Sequence, residues 1–319
     1  MVFTEQREGE IHPISYELLG KGREIADKLC TELSSVLLGD RIENARELIY
    51  CGADKVFLFD HPVFREFDLL NYKHNIVKLV REIKPDILLL GATRLGRSLA
   101  PRVAVALDTG LTADCIGLDV DVGGNLIQIR PAFTGNILAQ IKTATRPQIS
   151  TVRYKVMSKR PRDSNRRGEL IKKNCEPVPS LLTIRKKEKL GEFDITKADV
   201  IVSGGRGLKK ADDFSVLLDL TELLGGVIGS SRPLVDDGWI AREHQVGFSG
   251  NTVKPKFYIA CGISGSPQHL AGMRGSDVIV AINTDPSAPI FRVADYGVVG
   301  DLYEVVPKLT SEIRRRRSE

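Results

Sequence analysis

A short strand that runs straight into a glycine-rich loop and a helix start is the feature that most constrains this chain. Residues 257–261, FYIAC, form an apolar run with the length of a buried strand. Gly262 and Gly265 follow at once. Ser266 before Pro267 is typical of the start of a helix, whose free N–H groups and positive dipole end face the loop. The stretch therefore predicts a site for an anion or an anionic cofactor.

The rest of the chain alternates between helical periodicity and short apolar runs. Helices are predicted at 15–33, 43–50, 69–83, 98–107, 213–224 and 302–317. Strands are predicted at 2–4, 55–59, 87–90, 115–120, 126–130, 137–141, 149–156, 199–203, 227–229, 257–261, 278–282 and 290–294. Strands that alternate with helices form parallel βαβ units with right-handed crossovers. We therefore expect an α/β protein with two three-layer αβα domains of mainly parallel sheet, the C-terminal one Rossmann-like.

A charged, proline-containing segment separates the two halves of this pattern. Between residues 155 and 189 there are twelve Lys or Arg against four Asp or Glu, within a net charge of +5 for the 319-residue chain. The expected organisation is an N-terminal domain at 1–157, a basic linker with a possible strand near 170–171 at 158–198, and a C-terminal domain at 199–319. Nucleic-acid binding is an alternative interpretation of the basic segment. Without a recognised binding module, a solvated linker is favoured.

Composition and motifs argue against several other classes of protein. No window approaches the roughly eighteen apolar residues of a membrane helix, and the N-terminus has no signal-peptide pattern. The five cysteines are scattered without a CxxC pair, which argues against a disulfide framework, a zinc site or an iron–sulfur cluster. Nucleophile-elbow, Walker and HExxH motifs are absent. We expect a cytoplasmic protein with no metal and no membrane or nucleic-acid partner.

In the second half, successive predicted strands end in small or polar residues: SGGRG, GSSR, CGISG and INTD. Because the carboxyl ends of parallel strands share one edge, where ligands bind, these ends predict one crevice. The side chains expected to converge there are Arg206, Ser231, Arg232, Ser264, His269 and Asn283.

A cation with two hydrogen-bond donors suits a redox cofactor that gains negative charge on reduction, and Arg232, Ser249 and His269 form such a set. These residues alone do not distinguish FAD from NAD. A purely structural histidine is the alternative interpretation of His269.

The wording and order of the motifs resemble the alpha subunit of electron-transfer flavoproteins. In the second half the motifs are SGGRG, SSR, HQVGFSG, YIACGISGSPQHLAGM and VIVAINTDPSAPIFRVADYGVVGDL. GATRLGRSLAPRVA, TGLTADC and RPAFTGNILAQIKTATRPQISTVR extend the resemblance into the first half. It therefore covers nearly the whole chain.

This resemblance implies an N-terminal domain that packs on a beta subunit and a C-terminal domain that holds one FAD. The residues that it assigns to FAD binding are Arg206, Ser231, Arg232, Val246, Gly247, Phe248, Ser249, Ser264, Gly265, Ser266, Pro267, Gln268, His269, Asn283, Asp301 and Leu302. Residues 264–269 would wrap the phosphates and the flavin edge, and Asn283, Asp301 and Leu302 would lie toward the adenosine end.

Three of these positions are implied to tune the flavin, and none is implied to be catalytic. Ser249 matches the hydroxyl that faces flavin N5, Arg232 matches the arginine beside the ring, and His269 matches the donor near the pyrimidine carbonyl. One position departs from the family pattern: the turn usually reads VGQTG and here reads VGFSG. Phe248 therefore implies the loss of a polar contact near the flavin, whereas Ser249 keeps the hydroxyl of threonine.

The function implied is that of a heterodimer that carries electrons between dehydrogenases of the acyl-CoA dehydrogenase type and an acceptor. The alternative is a subunit of an electron-bifurcating, NADH-dependent acyl-CoA reductase complex that also reduces ferredoxin. In that case a second flavin and the NADH site would lie mainly on the beta subunit.

Overall fold

The computed structural model describes residues 1–132, 137–186 and 193–318. The described residues divide into two compact units, one on each side of the gap at 187–192. Each unit has its own sheet and its own pair of apolar cores. No helix among these residues is long and apolar enough to cross a membrane.

The first unit is built on a seven-stranded parallel sheet. The strands of this unit are β1 (Val2–Thr4), β2 (Gln6–Arg7), β3 (Glu10–Ile11), β4 (Ser34–Gly39), β5 (Lys55–Asp60), β6 (Ile87–Gly91), β7 (Leu111–Cys115), β8 (Gly117–Val120), β9 (Leu126–Ala132), β10 (Ile137–Ile141), β11 (Gln148–Val152) and β12 (Glu169–Lys172). Its helices are α1 (Pro13–Lys28), α2 (Glu47–Tyr50), α3 (Leu69–Ile83) and α4 (Arg94–Ala106). The main sheet has the order β12-β5-β4-β1-β6-β11-β7, while β8, β9 and β10 form a small antiparallel sheet and β2 pairs with β3.

Alternation along the central strands divides this unit into three layers. Val2 and Leu37 belong to a core that includes residues of α1 and α2, whereas Phe3 and Val36 belong to a core formed with α3 and α4. Successive side chains of a strand point to opposite faces, so each strand of this sheet contributes to both cores.

The second unit repeats this arrangement on a smaller scale. Its strands are β13 (Val200–Gly204), β14 (Val227–Ser230), β15 (Phe257–Cys261), β16 (Val278–Asn283) and β17 (Tyr296–Val299). Its helices are α5 (Phe214–Leu223), α6 (Arg232–Asp236), α7 (Pro267–Met273) and α8 (Leu302–Ser318). All five strands are parallel, in the order β14-β13-β15-β16-β17. The expected α/β class with two mainly parallel sheets is confirmed.

Three local predictions are wrong. The helix predicted at 15–33 ends at Lys28, and the strand β4 that follows it was not predicted. The chain reverses at Cys30, a non-glycine residue with φ of 50°, which gives no turn signal in the sequence. The strand predicted at 115–120 is two strands, β7 and β8.

The strand predicted at 290–294 is also wrong. Residues Pro289–Arg292 form a 3₁₀ turn, and the edge strand β17 follows at Tyr296–Val299. Ile290 is fully buried, and its N–H donates to the Ser264 carbonyl at 3.1 Å. The apolar run therefore packs against the glycine-rich loop and does not extend the sheet.

The basic segment is largely part of the first unit. Of the linker expected at 158–198, residues 158–186 lie in the first unit and residues 193–198 in the second, while residues 187–192 lie outside the described residues. Residues 170–171 lie in β12, which pairs in parallel with β5. Carboxylates of the same unit take up several of the positive charges: Arg162 pairs with Glu47, and Lys173 pairs with Glu82.

The ion pairs around Asp54 attach this segment to the core. One carboxylate oxygen accepts from Arg23 at 2.6 Å and from the Leu33 N–H at 2.7 Å, and the other accepts from Arg166 at 2.5 Å. Burial alone would raise the pKa of Asp54, but the Leu33 N–H and the two guanidinium groups outweigh it and lower the pKa. The stability that this carboxylate contributes is therefore present above its unfolded pKa and lost as pH falls through its folded pKa.

We predict that Asp54→Asn lowers the free energy of unfolding by about 1–3 kcal/mol, because it removes charge-assisted hydrogen bonds to a mostly buried arginine. Urea unfolding of the purified chain measures this change. The matched control is Glu24→Gln, which breaks an exposed pair with Lys21 and is expected to cost about 0.5 kcal/mol or less. Equal midpoints for the two variants would contradict a structural role for Asp54.

Candidate functional site

A cavity of about 500 Å³ lies at the carboxyl ends of β13, β15 and β16 in the second unit. The chain runs from β13 to its neighbour β14 and then returns to β15 on the other side of β13, so strand order reverses between β13 and β15. Open parallel sheets bind ligands at such a switch point. The residues that line the cavity are Arg206, Gly207, Lys209, Ser231, Pro233, Gly262, Ile263, Ser264, Ser266, His269, Ile282, Asn283, Thr284, Asp285, Ala288, Gly300, Asp301, Leu302 and Tyr303.

Two loops that meet backbone to backbone close one side of the cavity. The Gly205 N–H donates to the Cys261 carbonyl at 2.9 Å, and the Gly207 N–H donates to the Gly262 carbonyl at 3.0 Å. A Cβ atom on Gly207 would lie 2.6 Å from the Gly262 Cα, and Gly262 itself has φ of +63°. Glycine is therefore required at both positions, which explains why the strands end in SGGRG and CGISG.

The loop after β15 presents a row of unused hydrogen-bond donors. Among the described residues, the N–H groups of Ile263, Ser264, Gly265 and Ser266 find no acceptor. Asn283 holds this loop from β16, because its Nδ2 donates to the Ile263 carbonyl at 2.9 Å. Consecutive free N–H groups in a concave loop form an anion-binding site.

Two positive side chains line the same cavity as these donors. Arg206 is exposed and makes no ion pair with a described residue, and Lys209 lines the same cavity. The Lys209 ammonium lies 4.7 Å from the centroid of the Tyr303 ring, close enough for a cation–π contact. The lining also includes two carboxylates, those of Asp285 and Asp301.

His269 lines the cavity from the first turn of α7. Ser266 caps this helix, and its Oγ accepts from the His269 N–H at 3.4 Å. The imidazole is 5% exposed, and its Nε2 lies 2.9 Å from the Tyr258 hydroxyl. Burial lowers the pKa of His269 to about 4. The backbone of Val246 acts in the opposite direction on this pKa, but its contact with the ring is outside hydrogen-bond geometry. Nδ1 is buried and finds no partner among the described residues.

The turn at 246–249 is held against α7. The Val246 N–H donates to the Ser230 carbonyl at 2.9 Å, and the Phe248 N–H donates to the Gln268 carbonyl at 2.7 Å. The Ser249 hydroxyl accepts from Gln245 Nε2 at 3.1 Å. Phe248 is 63% exposed.

The structure brings together about half of the site residues that the sequence indicates. Those that line the cavity are Arg206, Ser231, Ser264, Ser266, His269, Asn283, Asp301 and Leu302. Those outside the lining are Arg232, Val246, Gly247, Phe248, Ser249, Gly265, Pro267 and Gln268. The last three lie between lining residues along the chain, and the turn at 246–249 contacts α7. Arg232 pairs instead with Asp236 at 3.0 Å, on the exposed side of α6.

Sequence reasoning missed several residues of the lining, notably Lys209, Asp285 and Tyr303. Lys209 and Tyr303 come from two separated segments, which the Asp213 carboxylate joins: it accepts from both the Tyr303 hydroxyl and the Lys209 N–H. The only signal in the sequence is their closeness to predicted residues, since Lys209 follows Arg206 by three and Tyr303 follows Leu302 directly.

Comparisons with known proteins agree on one family. Residues 1–177 match the family model described as the electron transfer flavoprotein domain, and residues 194–274 match the electron transfer flavoprotein FAD-binding domain. The chain is 49% identical to the electron transfer flavoprotein subunit alpha of Thermoanaerobacterium thermosaccharolyticum, over 98% of this chain and 97% of that protein. It is 46% identical to Protein FixB of Clostridium saccharobutylicum, over 98% and 95%. It is 44% identical to the lactate dehydrogenase (NAD(+),ferredoxin) subunit LctC of Acetobacterium woodii, over 98% of this chain and 76% of that protein.

We predict that Gly272→Ala displaces the turn at 246–249, because a Cβ atom at 272 would overlap the backbone of Gly247. Hydrogen–deuterium exchange should show faster exchange in peptides that cover 246–251. Gly275→Ala is the control, since its Cβ would meet only the Lys254 side chain at 3.7 Å. Unchanged protection of the turn in Gly272→Ala would show that α7 does not hold it.

Proposed function

Because this chain belongs to the electron transfer flavoprotein family, as an alpha subunit, we propose that it binds one FAD in the cavity of its second unit. In this proposal it pairs with a beta subunit and carries electrons from dehydrogenases of the acyl-CoA dehydrogenase type to an acceptor. A cytoplasmic location belongs to the same proposal. FAD supplies the electron chemistry, and the residues of this chain supply binding, orientation and electrostatics.

The observation that carries the proposal is the row of free N–H groups at 263–266 beside Arg206. An array of donors with a cation suits a pyrophosphate group, which has several anionic oxygens and no donor of its own. The lining near Asn283 and Asp301 has the acceptors that the hydroxyl groups of an adenosine require. The cavity therefore offers donors for the pyrophosphate and acceptors for the adenosine, the two chemically different parts of a dinucleotide.

At the flavin end, the proposal relies on His269, Ser249 and Arg232. A histidine with a pKa of about 4 is neutral at physiological pH, so it would act there as a hydrogen-bond donor and not as a cation. Arg232 would supply the positive charge that favours reduction, which requires it to leave or share its contact with Asp236. Of these three residues, His269 lines the cavity, whereas Arg232 and Ser249 lie outside its lining.

The direct test is the cofactor content of the chain purified together with a beta subunit. We predict that Asn283→Ala weakens FAD binding about tenfold, because the Ile263 carbonyl loses the donor that fixes the loop. Titration of the apoprotein with FAD, followed by flavin fluorescence, measures the affinity. Glu222→Gln, at an exposed position of α5, is the control and should bind FAD like the native chain. The same affinity in Asn283→Ala would remove the loop from the binding site.

An electron-bifurcating complex is the second candidate, and one relative favours it. The 44% identical protein of Acetobacterium woodii is named as a subunit of an NAD(+)- and ferredoxin-dependent lactate dehydrogenase. In this alternative the chain would serve an NADH-dependent acyl-CoA reductase that also reduces ferredoxin, with the second flavin and the NADH site mainly on the beta subunit.

Flavin stoichiometry separates the two candidates. A simple carrier is expected to contain one FAD per heterodimer, in the alpha subunit, and AMP in place of a second flavin. A bifurcating complex is expected to contain two FAD and to lose its flavin absorbance when NADH is added. Counting flavin released on denaturation, with an NADH titration of the intact complex, decides between them.

A further inference from the structure

A tyrosine hydroxyl is buried in an apolar core directly beneath the candidate site. Tyr258 lies on β15, is fully buried, and belongs to the core formed by the sheet and α7. Among the described residues, its hydroxyl has one hydrogen-bond partner, the Nε2 of His269 at 2.9 Å. A phenylalanine would fill the same space without the cost of burying a polar group, so the hydroxyl calls for an explanation.

The direction of this hydrogen bond follows from the surroundings. Burial raises the pKa of the Tyr258 hydroxyl, so the group keeps its proton. Ser203 on the neighbouring strand opposes that rise slightly, but its Oγ is not in hydrogen-bond geometry with any described residue. A buried hydroxyl donates to the acceptor that it has. The proton therefore points at His269 Nε2.

The protonation state of the histidine follows in turn. When Nε2 of a neutral imidazole accepts a hydrogen bond, the single ring proton is on Nδ1. The ring is then a fixed donor, with its N–H on a buried atom that has no acceptor among the described residues. Such an unpaired donor next to a ligand cavity is satisfied when a ligand or a small shift of the Val246 turn supplies an acceptor.

We propose that Tyr258 is a positioning residue that holds His269 in the neutral, Nδ1-protonated form and fixes the plane of its ring. The effect of this histidine on the reduction of the cofactor rests on the proposed function, because that effect requires FAD in the cavity. A histidine locked in this way presents the same donor to the cofactor in both redox states. The interaction strengthens on reduction only because the cofactor becomes a better acceptor, with no proton uptake by the histidine.

The test is Tyr258→Phe in the full chain with its beta subunit, with nitrogen-15 labelled histidine. The nitrogen shifts of His269, assigned with His269→Gln, report which ring nitrogen carries the proton. In the native complex Nδ1 should be protonated and Nε2 should be an acceptor. In Tyr258→Phe we expect a mixture of the two neutral forms. Tyr72→Phe is the matched control, because it removes a buried tyrosine hydroxyl of the first unit, which accepts from Gln6, and should leave the spectrum unchanged.

The second readout is the flavin midpoint potential. We expect Tyr258→Phe to weaken the preference for reduced over oxidised FAD by up to about tenfold, which is a shift of about 30 mV to more negative potential for a two-electron couple. Tyr72→Phe should not shift it. A native spectrum with Nε2 protonated, or an unchanged His269 spectrum in Tyr258→Phe, would overturn the proposal. The spectra can be recorded without FAD, so failure of FAD binding would be recognised separately.

Discussion

The close approach of two loop backbones at Gly207 and Gly262 is the constraint on which the candidate site depends. Parallel strands place all their carboxyl ends on one edge, but an open edge becomes a ligand site only where the loops leave it uncovered. Here the loops after β13 and β15 bond to one another through main-chain groups and approach closely because glycine stands on both sides of the contact. Asn283 and Ile290 then hold the outer part of the second loop. The donors at 263–266 are thus fixed in place without being used up.

The two units differ in how their positive side chains are paired. In the first unit several positive charges of the segment at 158–186 are paired with carboxylates, and Asp54 is shared between Arg166 of this segment and Arg23. In the second unit Arg206 has no carboxylate partner among the described residues, and His269 is kept neutral by burial. A cation without a counter-ion, next to free N–H groups, is what distinguishes a binding site from a structural ion pair.

The sequence predicts the parts of this structure that are encoded locally. Strand β15, the glycine loop and the Ser266 cap of α7 follow from residues that are adjacent in the chain, and the structure has them in the predicted places. The sequence favours a linker at 158–198 because the partners of its basic residues, such as Glu47 and Asp54, are more than a hundred residues away. Lys209 and Tyr303 were missed for the same reason, since only the fold brings their two segments together. The run at 290–294 has strand composition, but its apolar residues fill the space under a loop, and periodicity cannot distinguish these two uses.

The turn that carries Phe248 is held by its backbone. The family pattern has glutamine at this position, yet the turn is held by main-chain bonds: the Phe248 N–H to Gln268 and the Val246 N–H to Ser230. The close packing of Gly247 on Gly272 adds a contact that also involves no side chain at 248. Because these interactions use only backbone atoms, phenylalanine leaves the geometry of the turn intact. What it changes is the chemistry of a mostly exposed surface beside α7, where an aromatic ring replaces an amide.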